Sequence, residues 1–243
     1  MTITSIMSRG EPIVRPRAAR LAGDVRRAQI ITAACQFFAE NGFSGPTRDL
    51  AASIGVTQAL LYRYFDSKTD LIDAVFAEVF REHWSVGALE RFEASAGAPM
   101  VDRVAEVYGH MLPRMTPTAT RLFFRAGLDA YAEPIYRSAS KSLPLWNAML
   151  AEWWREEGLP TLAGKPMLEG ERMLMIALHN AMTMIRVREH VFRTPRWLSD
   201  ADEIRQISET QDAGIRVVLR RLHAGEASER RCAIADNPSL EAA

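Results

Sequence analysis

The stretch LAASIGVTQALLYRYFDSKTDLI, Leu50 to Ile72, carries the signals from which the fold is read. Leu50 and the small Ala51 belong to a short helix of about Thr47 to Ser53. Ile54-Gly55 ends it, because glycine enters left-handed backbone conformations without steric cost. Thr57 is placed as the cap of the next helix, which reaches to about Phe65 with Leu61 and Phe65 four apart on its inner face. Ser67-Lys68-Thr69-Asp70 has the form of a capping box, opening a fourth helix through Leu71, Val75 and Val79 towards Trp84. Two short helices joined at a glycine, with alanine where they approach, predict a helix-turn-helix.

Upstream, RRAQIITAACQFFAENGF, Arg26 to Phe43, places Ile30, Ala34, Phe37 and Phe38 at three-to-four spacing. Asp24 is the expected cap of that helix and Asn41-Gly42 its stop. Residues 1–22 mix Arg, Pro, Ser and Gly without period and are expected to form a flexible basic arm. Downstream the pattern stays helical to about His223, punctuated at Gly97-Ala98-Pro99, Met115-Thr116-Pro117, Gly158-Leu159-Pro160, Gly164-Lys165-Pro166 and Arg193-Thr194-Pro195. No alternating run is long enough for a strand, so the expected class is all-α. The expected organisation is the arm, a three-helix helix-turn-helix domain over 23–69, a helical body over 70–224 and a disordered polar tail over 225–243.

At 243 residues, 48% hydrophobic and 25% charged, the chain has the material for a buried core. Its 30 basic and 30 acidic side chains cancel, yet up to Lys68 there are nine basic residues against five acidic ones. A basic head on an acidic body fits a polyanionic partner for the head. Cys35 and Cys232 are too few for a disulfide framework and point to a reducing compartment. No long uncharged apolar run supports export or a membrane span, and a cytoplasmic location without membrane association is expected.

The motif as a whole resembles the DNA-binding domain of the TetR family: Arg26 to Phe43 is similar to the family's first helix, and Leu50 to Ile72 to its helix-turn-helix. The resemblance implies a homodimer on double-stranded operator DNA, with one recognition helix of each subunit in a major groove and a helical ligand-binding body that sets their separation. Carried over residue by residue, it puts Arg48 and Gln58 where base edges are read. An arginine fork suits guanine, and a glutamine amide suits adenine. Tyr62, Tyr64 and Lys68 match phosphate-contacting positions, and Thr47 lies at a helix N-terminus able to do the same. Thr57 caps the recognition helix, Ala59 and Leu60 are placed for a thymine methyl, and Arg63 for base or backbone. Pro46 stands where Ser or Thr is common before the second helix, a place proline tolerates. Each position has a plainer alternative: the two tyrosine rings as cover for a small core, Gln58 as a solvent-facing amide, the N-terminal arginines as a solubilising tail.

In the body, aromatic and thioether side chains recur at helical spacing, which is ordinarily core. An apolar effector pocket is expected among them, near Tyr108, Met111, Phe124, Trp146, Met149 and His179, for a hydrophobic or aromatic small molecule. The alternative for His179 is an interior histidine satisfied by a hydrogen bond. The five histidines show no metal-ligand spacing, and no metal or other cofactor is expected. The helices at about Leu168 to Phe192 and Ala201 to His223 are the expected dimer interface, through Ile204, Ile207, Ile215, Val218 and Leu222, with packing inside one subunit as the alternative. The expected function is a ligand-responsive repressor, not an enzyme. Against an all-α enzyme stands the lack of a nucleophile elbow, phosphate loop, metal pair or Glu-x-x-His set. An architectural DNA binder without effector is the third reading.

Overall fold

The computed structural model describes residues 17–80, 85–129, 131, 141–159 and 167–224, with side chains from residue 23 onward. Among these residues ten α-helices account for nearly all regular structure and there is no extended strand, in agreement with the all-α expectation. Residues 1–16, the tail 225–243 and Trp84 lie outside the described residues.

The head is formed by α1 (Arg17–Asn41), α2 (Thr47–Ser53), α3 (Gln58–Tyr62) and α4 (Lys68–Val79). Helix α1 starts at Arg17 and runs through Asp24, so the expected cap at Asp24 and the irregular arm over its last six residues are corrected. Arg17, Arg20, Ala18 and Ala19 are all compatible with helix, which outweighs the weak stop expected from Gly23. The two other caps are as expected: Thr57 Oγ1 accepts from Leu60 N at 3.2 Å and Ser67 Oγ from Asp70 N at 3.0 Å. Ile30, Ala34, Phe38, Phe43, Leu50, Ala51, Leu61, Phe65, Leu71, Ile72, Val75 and Phe76 close one core.

The body contains α5 (Ala88–Ala94), α6 (Met100–Met111), α7 (Pro117–Leu128), α8 (Leu143–Glu156), α9 (Glu169–Val187) and α10 (Asp200–Ala224). Its core is a second cluster centred on Val107, Tyr108, Met149, Trp153, Leu178, Met182 and Leu219. In α10, Ile204, Ile215 and Leu222 are buried in the subunit's own interior. The apolar stripe expected to make a dimer interface is therefore intrachain packing, and its partners are α6 and α9. The helices are clamped by charge as well. Trp153 Nε1 donates to Asp212 Oδ1 at 2.7 Å, and Arg186, nearly buried, pairs with Glu189 at 2.6 Å and Asp200 at 2.5 Å.

Helix α7 belongs to both parts. Thr116 caps it, Pro117 occupies its first turn, and its Leu122 and Ala126 sit in the head core rather than the body core. Just beyond it, the Tyr131 ring lies 5.1 Å from that of Phe43. No helix among the described residues is long and apolar enough to cross a membrane.

Candidate nucleic-acid interface

The turn between α2 and α3 is built by backbone rules. Gly55 takes φ +67, Val56 N donates to Ala51 O at 3.0 Å, and a Cβ on Gly55 would meet nothing within 4 Å. Glycine is needed there for its dihedral angle and not for space. Helix α3 ends at Tyr62, short of the expected Phe65, and Leu61 within it and Phe65 just beyond it share the core with Leu50 and Ala51. The outer face then presents Gln58, Ala59, Tyr62 and Arg63 to solvent, with Arg48 of α2 alongside, its side chain 79% exposed and 3.5 Å from Asp49. Arg27 lies over the Phe65 ring at 4.9 Å, which ties α1 to the end of this unit.

Not every expected contact residue faces outward. Thr47 is only 6% exposed. Its Oγ1 accepts from Gln58 Nε2 at 2.9 Å and is hydrogen-bonded to the Tyr62 hydroxyl at 3.0 Å. Tyr64 is half-buried and packs on the head core, whereas Tyr62 is 44% exposed. Lys68 Nζ donates to Gly45 O at 2.7 Å, which settles a cation in the first turn of α4 by giving it a carbonyl acceptor. Two of its three N–H donors remain. Thr57 Oγ1 accepts the cap bond from Leu60 N, and its O–H donor remains.

Comparison with known proteins bears on this same segment. Residues 30–75 match the family described as bacterial regulatory proteins, tetR family. The helix-turn-helix segment is that of the TetR family. Over 140 residues it is 33% identical to the HTH-type transcriptional regulator BetI of Burkholderia thailandensis, a match that covers 57% of this chain and 58% of that relative's length. Two solved structures share the TetR-like fold at 18% identity. A TetR family transcription regulator from Marinobacter aquaeolei has a TM-score of 0.57 over 80% of this chain and 97% of its own. A protein from Pseudomonas aeruginosa has 0.56 over 85% and 98%.

In the body the residues expected around an effector are brought together with one exception. Tyr108, Met111, Trp146 and Met149 are buried in the body core. The His179 ring lies 5.7 Å from that of Trp146 and 6.1 Å from that of Tyr108, with its Nδ1 3.4 Å from the Tyr108 hydroxyl. Burial pushes the His179 pKa down to about 4, so the ring is neutral at pH 7. Burial likewise raises the Tyr108 phenol above its ordinary value, and neighbouring Trp146 offsets part of the rise. The indole N–H of Trp146 is buried without a well-formed hydrogen bond. Phe124 is the exception: it is exposed on α7 and lines a groove of about 370 Å³ with Arg121, Arg125 and Arg193, away from the other five. Its helical phase puts it on the outer side of α7, opposite Leu122 and Ala126.

Sequence reasoning missed the residues that join head to body. Arg125 Nη2 donates to Glu40 O at 3.0 Å at the end of α1, and Asp129 accepts from the Phe43 backbone. Both contacts span more than 80 residues, and no local pattern announces them. Among the described residues no group of His, Cys, Asp and Glu is placed to hold a metal ion.

Proposed function

We propose that this protein is a ligand-responsive transcriptional repressor of the TetR family that binds a palindromic operator as a homodimer and is released by a small hydrophobic or aromatic effector. The observation that carries the DNA reading is the outward row of Gln58, Ala59, Tyr62 and Arg63 on a helix capped by Thr57 and braced from beneath by Leu61 and Phe65. Such a row suits entry into a major groove, with Gln58 and Arg48 at base edges and Tyr62 and Lys68 at phosphates. The relative from Burkholderia thailandensis is itself named an HTH-type transcriptional regulator, which supports the reading.

The body reading rests on Trp146, Tyr108 and His179, a small polar set in an apolar interior, with an indole donor that lacks a well-formed hydrogen bond. An aromatic effector with a hydrogen-bond acceptor fits that surround, and a carboxylate fits it poorly, since His179 is neutral there. Displacement of these side chains would reach the head through α7, whose outer turns are part of the head core. A two-state shift of α7 is a physical means of changing the separation of two recognition helices.

The test is selection of binding sites from a random duplex library by the purified protein, followed by titration of Gln58→Ala and Arg48→Ala. A palindromic consensus, with loss of preference at defined positions in the variants, is expected. No enrichment, or unchanged preference in both variants, overturns the readout assignment. Lys68→Ala should weaken all sequences alike and reduce the salt dependence of binding.

A further inference from the structure

The place of Thr47 under the recognition helix is unusual for a residue expected to touch DNA. It is 6% exposed, so its hydroxyl has little surface to offer a phosphate. Instead it stands between two side chains of α3 that do face outward, Gln58 at 2.9 Å and Tyr62 at 3.0 Å. We infer that Thr47 is a positioning residue which links base readout to phosphate contact, by a donor chain running from Gln58 through Thr47 to Tyr62.

The proton count fixes the direction of the chain. An amide nitrogen has no lone pair to offer, so Gln58 Nε2 donates and Thr47 Oγ1 accepts. Thr47 has one hydrogen, and either hydroxyl can be the donor between it and Tyr62. A phosphate oxygen can only accept, so once Tyr62 grips a phosphate its single O–H points away from the protein. Thr47 must then donate to the Tyr62 oxygen. Phosphate engagement thereby sets the orientation of all three groups, and each bond polarises the next.

The consequence is for specificity. With Nε2 held against Thr47, the Gln58 carbonyl Oε1 is turned outward, and one amide hydrogen remains. That pair matches adenine, which presents the N6 donor and N7 acceptor, while cytosine offers only a donor, and thymine and guanine place acceptor oxygens against Oε1. A glutamine without this support turns its amide over freely and reads either pattern. The relay rests on the reading that α3 enters a major groove.

The experiment is the same selection, run with full-length wild type, Thr47→Val, Thr47→Ser, Tyr62→Phe and the Thr47→Val/Tyr62→Phe double variant, with thermal melting of each. Valine keeps the shape of threonine and removes the hydroxyl. Wild type is expected to favour adenine at one position in each half-site, by about tenfold. Thr47→Val should bring that preference to near parity, and Thr47→Ser should restore it. Tyr62→Phe should weaken binding about fivefold in wild type and less than twofold in the Thr47→Val background. A merely structural threonine predicts lower melting temperature and uniformly weaker binding with the base preference kept, and that result overturns the relay. Should Thr47→Val fail to fold, the Gln58→Ala/Tyr62→Phe cycle decides: these exposed residues make no hydrogen bond to each other, so additive losses overturn the relay and non-additive losses support it. If wild type selects no site, the groove reading itself has failed. If wild type selects a site and Gln58→Ala alters its preference while Thr47→Val does not, only the relay has failed.

Discussion

The backbone N–H of Phe43 donates to Oδ2 of Asp129 at 2.6 Å, and this bond joins the loop between α1 and α2 of the DNA-binding head to the residue that follows α7. Phe43 is buried at the centre of an aromatic set, its ring 5.3 Å from Phe38 and 5.5 Å from Phe76. Its amide makes a part-buried bond beside these rings, and a carboxylate is the strongest acceptor the chain can supply.

Removing that acceptor should be costly. Asp129→Ala is expected to lower stability by about 1–3 kcal/mol, the penalty of a buried donor left without a partner, and Asp129→Asn by less because an amide oxygen can still accept. Urea unfolding of the two variants measures this, with amide exchange at Phe43 as the local readout. Equal stability of Asp129→Ala and wild type would show that water serves the Phe43 amide as well as the carboxylate does.

Two glycines test the same junction from the other side. Gly42 and Gly55 have φ +77 and +67, so a Cβ at either position costs on the order of 1 kcal/mol. At Gly55 it would meet nothing within 4 Å, whereas at Gly42 it would lie 2.8 Å from Asp129 Oδ2. That oxygen is held by Phe43 and cannot move without losing its bond. Gly42→Ala should therefore destabilise more than Gly55→Ala, and the excess should vanish in an Asp129→Ala background. Equal losses in the wild-type background would mean that the carboxylate yields without cost.

His179 should make stability depend on pH in a defined window. Its pKa falls from 6.5 to about 4 on folding, because burial disfavours the imidazolium. The unfolded chain then binds the proton more readily than the folded one between these values. The contribution is present in full above pH 6.5 and is lost as pH falls towards 4, amounting to about 3 kcal/mol. His179→Gln should flatten the stability profile between pH 6.5 and 4.5 relative to wild type, leaving the carboxylate-dependent loss at lower pH. Parallel profiles would show that the ring is hydrated in the native state.

Local features are legible in the sequence where one physical effect dominates. Thr57 and Ser67 cap their helices because a short hydroxyl has few other uses at such a position, and Gly55 turns because no other residue adopts that angle as cheaply. The start of α1 is not legible in this way, since an acidic residue inside a helix and one at its cap look alike in sequence. The phase of α7 is harder: Phe123 and Phe124 are adjacent, and only the packing of Leu122 and Ala126 on the head decides which ring turns outward. Thr47 illustrates a further limit. Its helix-start position is readable, but its hydrogen bonds to Gln58 and Tyr62 depend on how closely α2 and α3 cross.

The faces of α9 and α10 left open by intrachain packing bear on the oligomeric state. Met173, Ala177 and Met184 lie outward on α9, and Ala213, Gly214 and Val217 on α10, with Met173 59% and Val217 63% exposed. Gly214 sits mid-helix, and a Cβ there would meet nothing within 4 Å, so nothing in its own subunit explains a residue that costs a helix about 1 kcal/mol. Close approach by the same helix of a second subunit would explain it, as in a four-helix bundle of two pairs. In a twofold interface each substitution occurs twice and faces its own copy or a near neighbour. Val217→Glu should thus place two carboxylates in the apolar seam of the proposed dimer and leave a monomer, with Met184→Glu acting alike and Val217→Ala tolerated. Light scattering coupled to size exclusion reads the mass directly, and the wild-type melting temperature should rise with protein concentration while that of Val217→Glu should not. A dimer that survives both glutamate variants would place the interface elsewhere on the body.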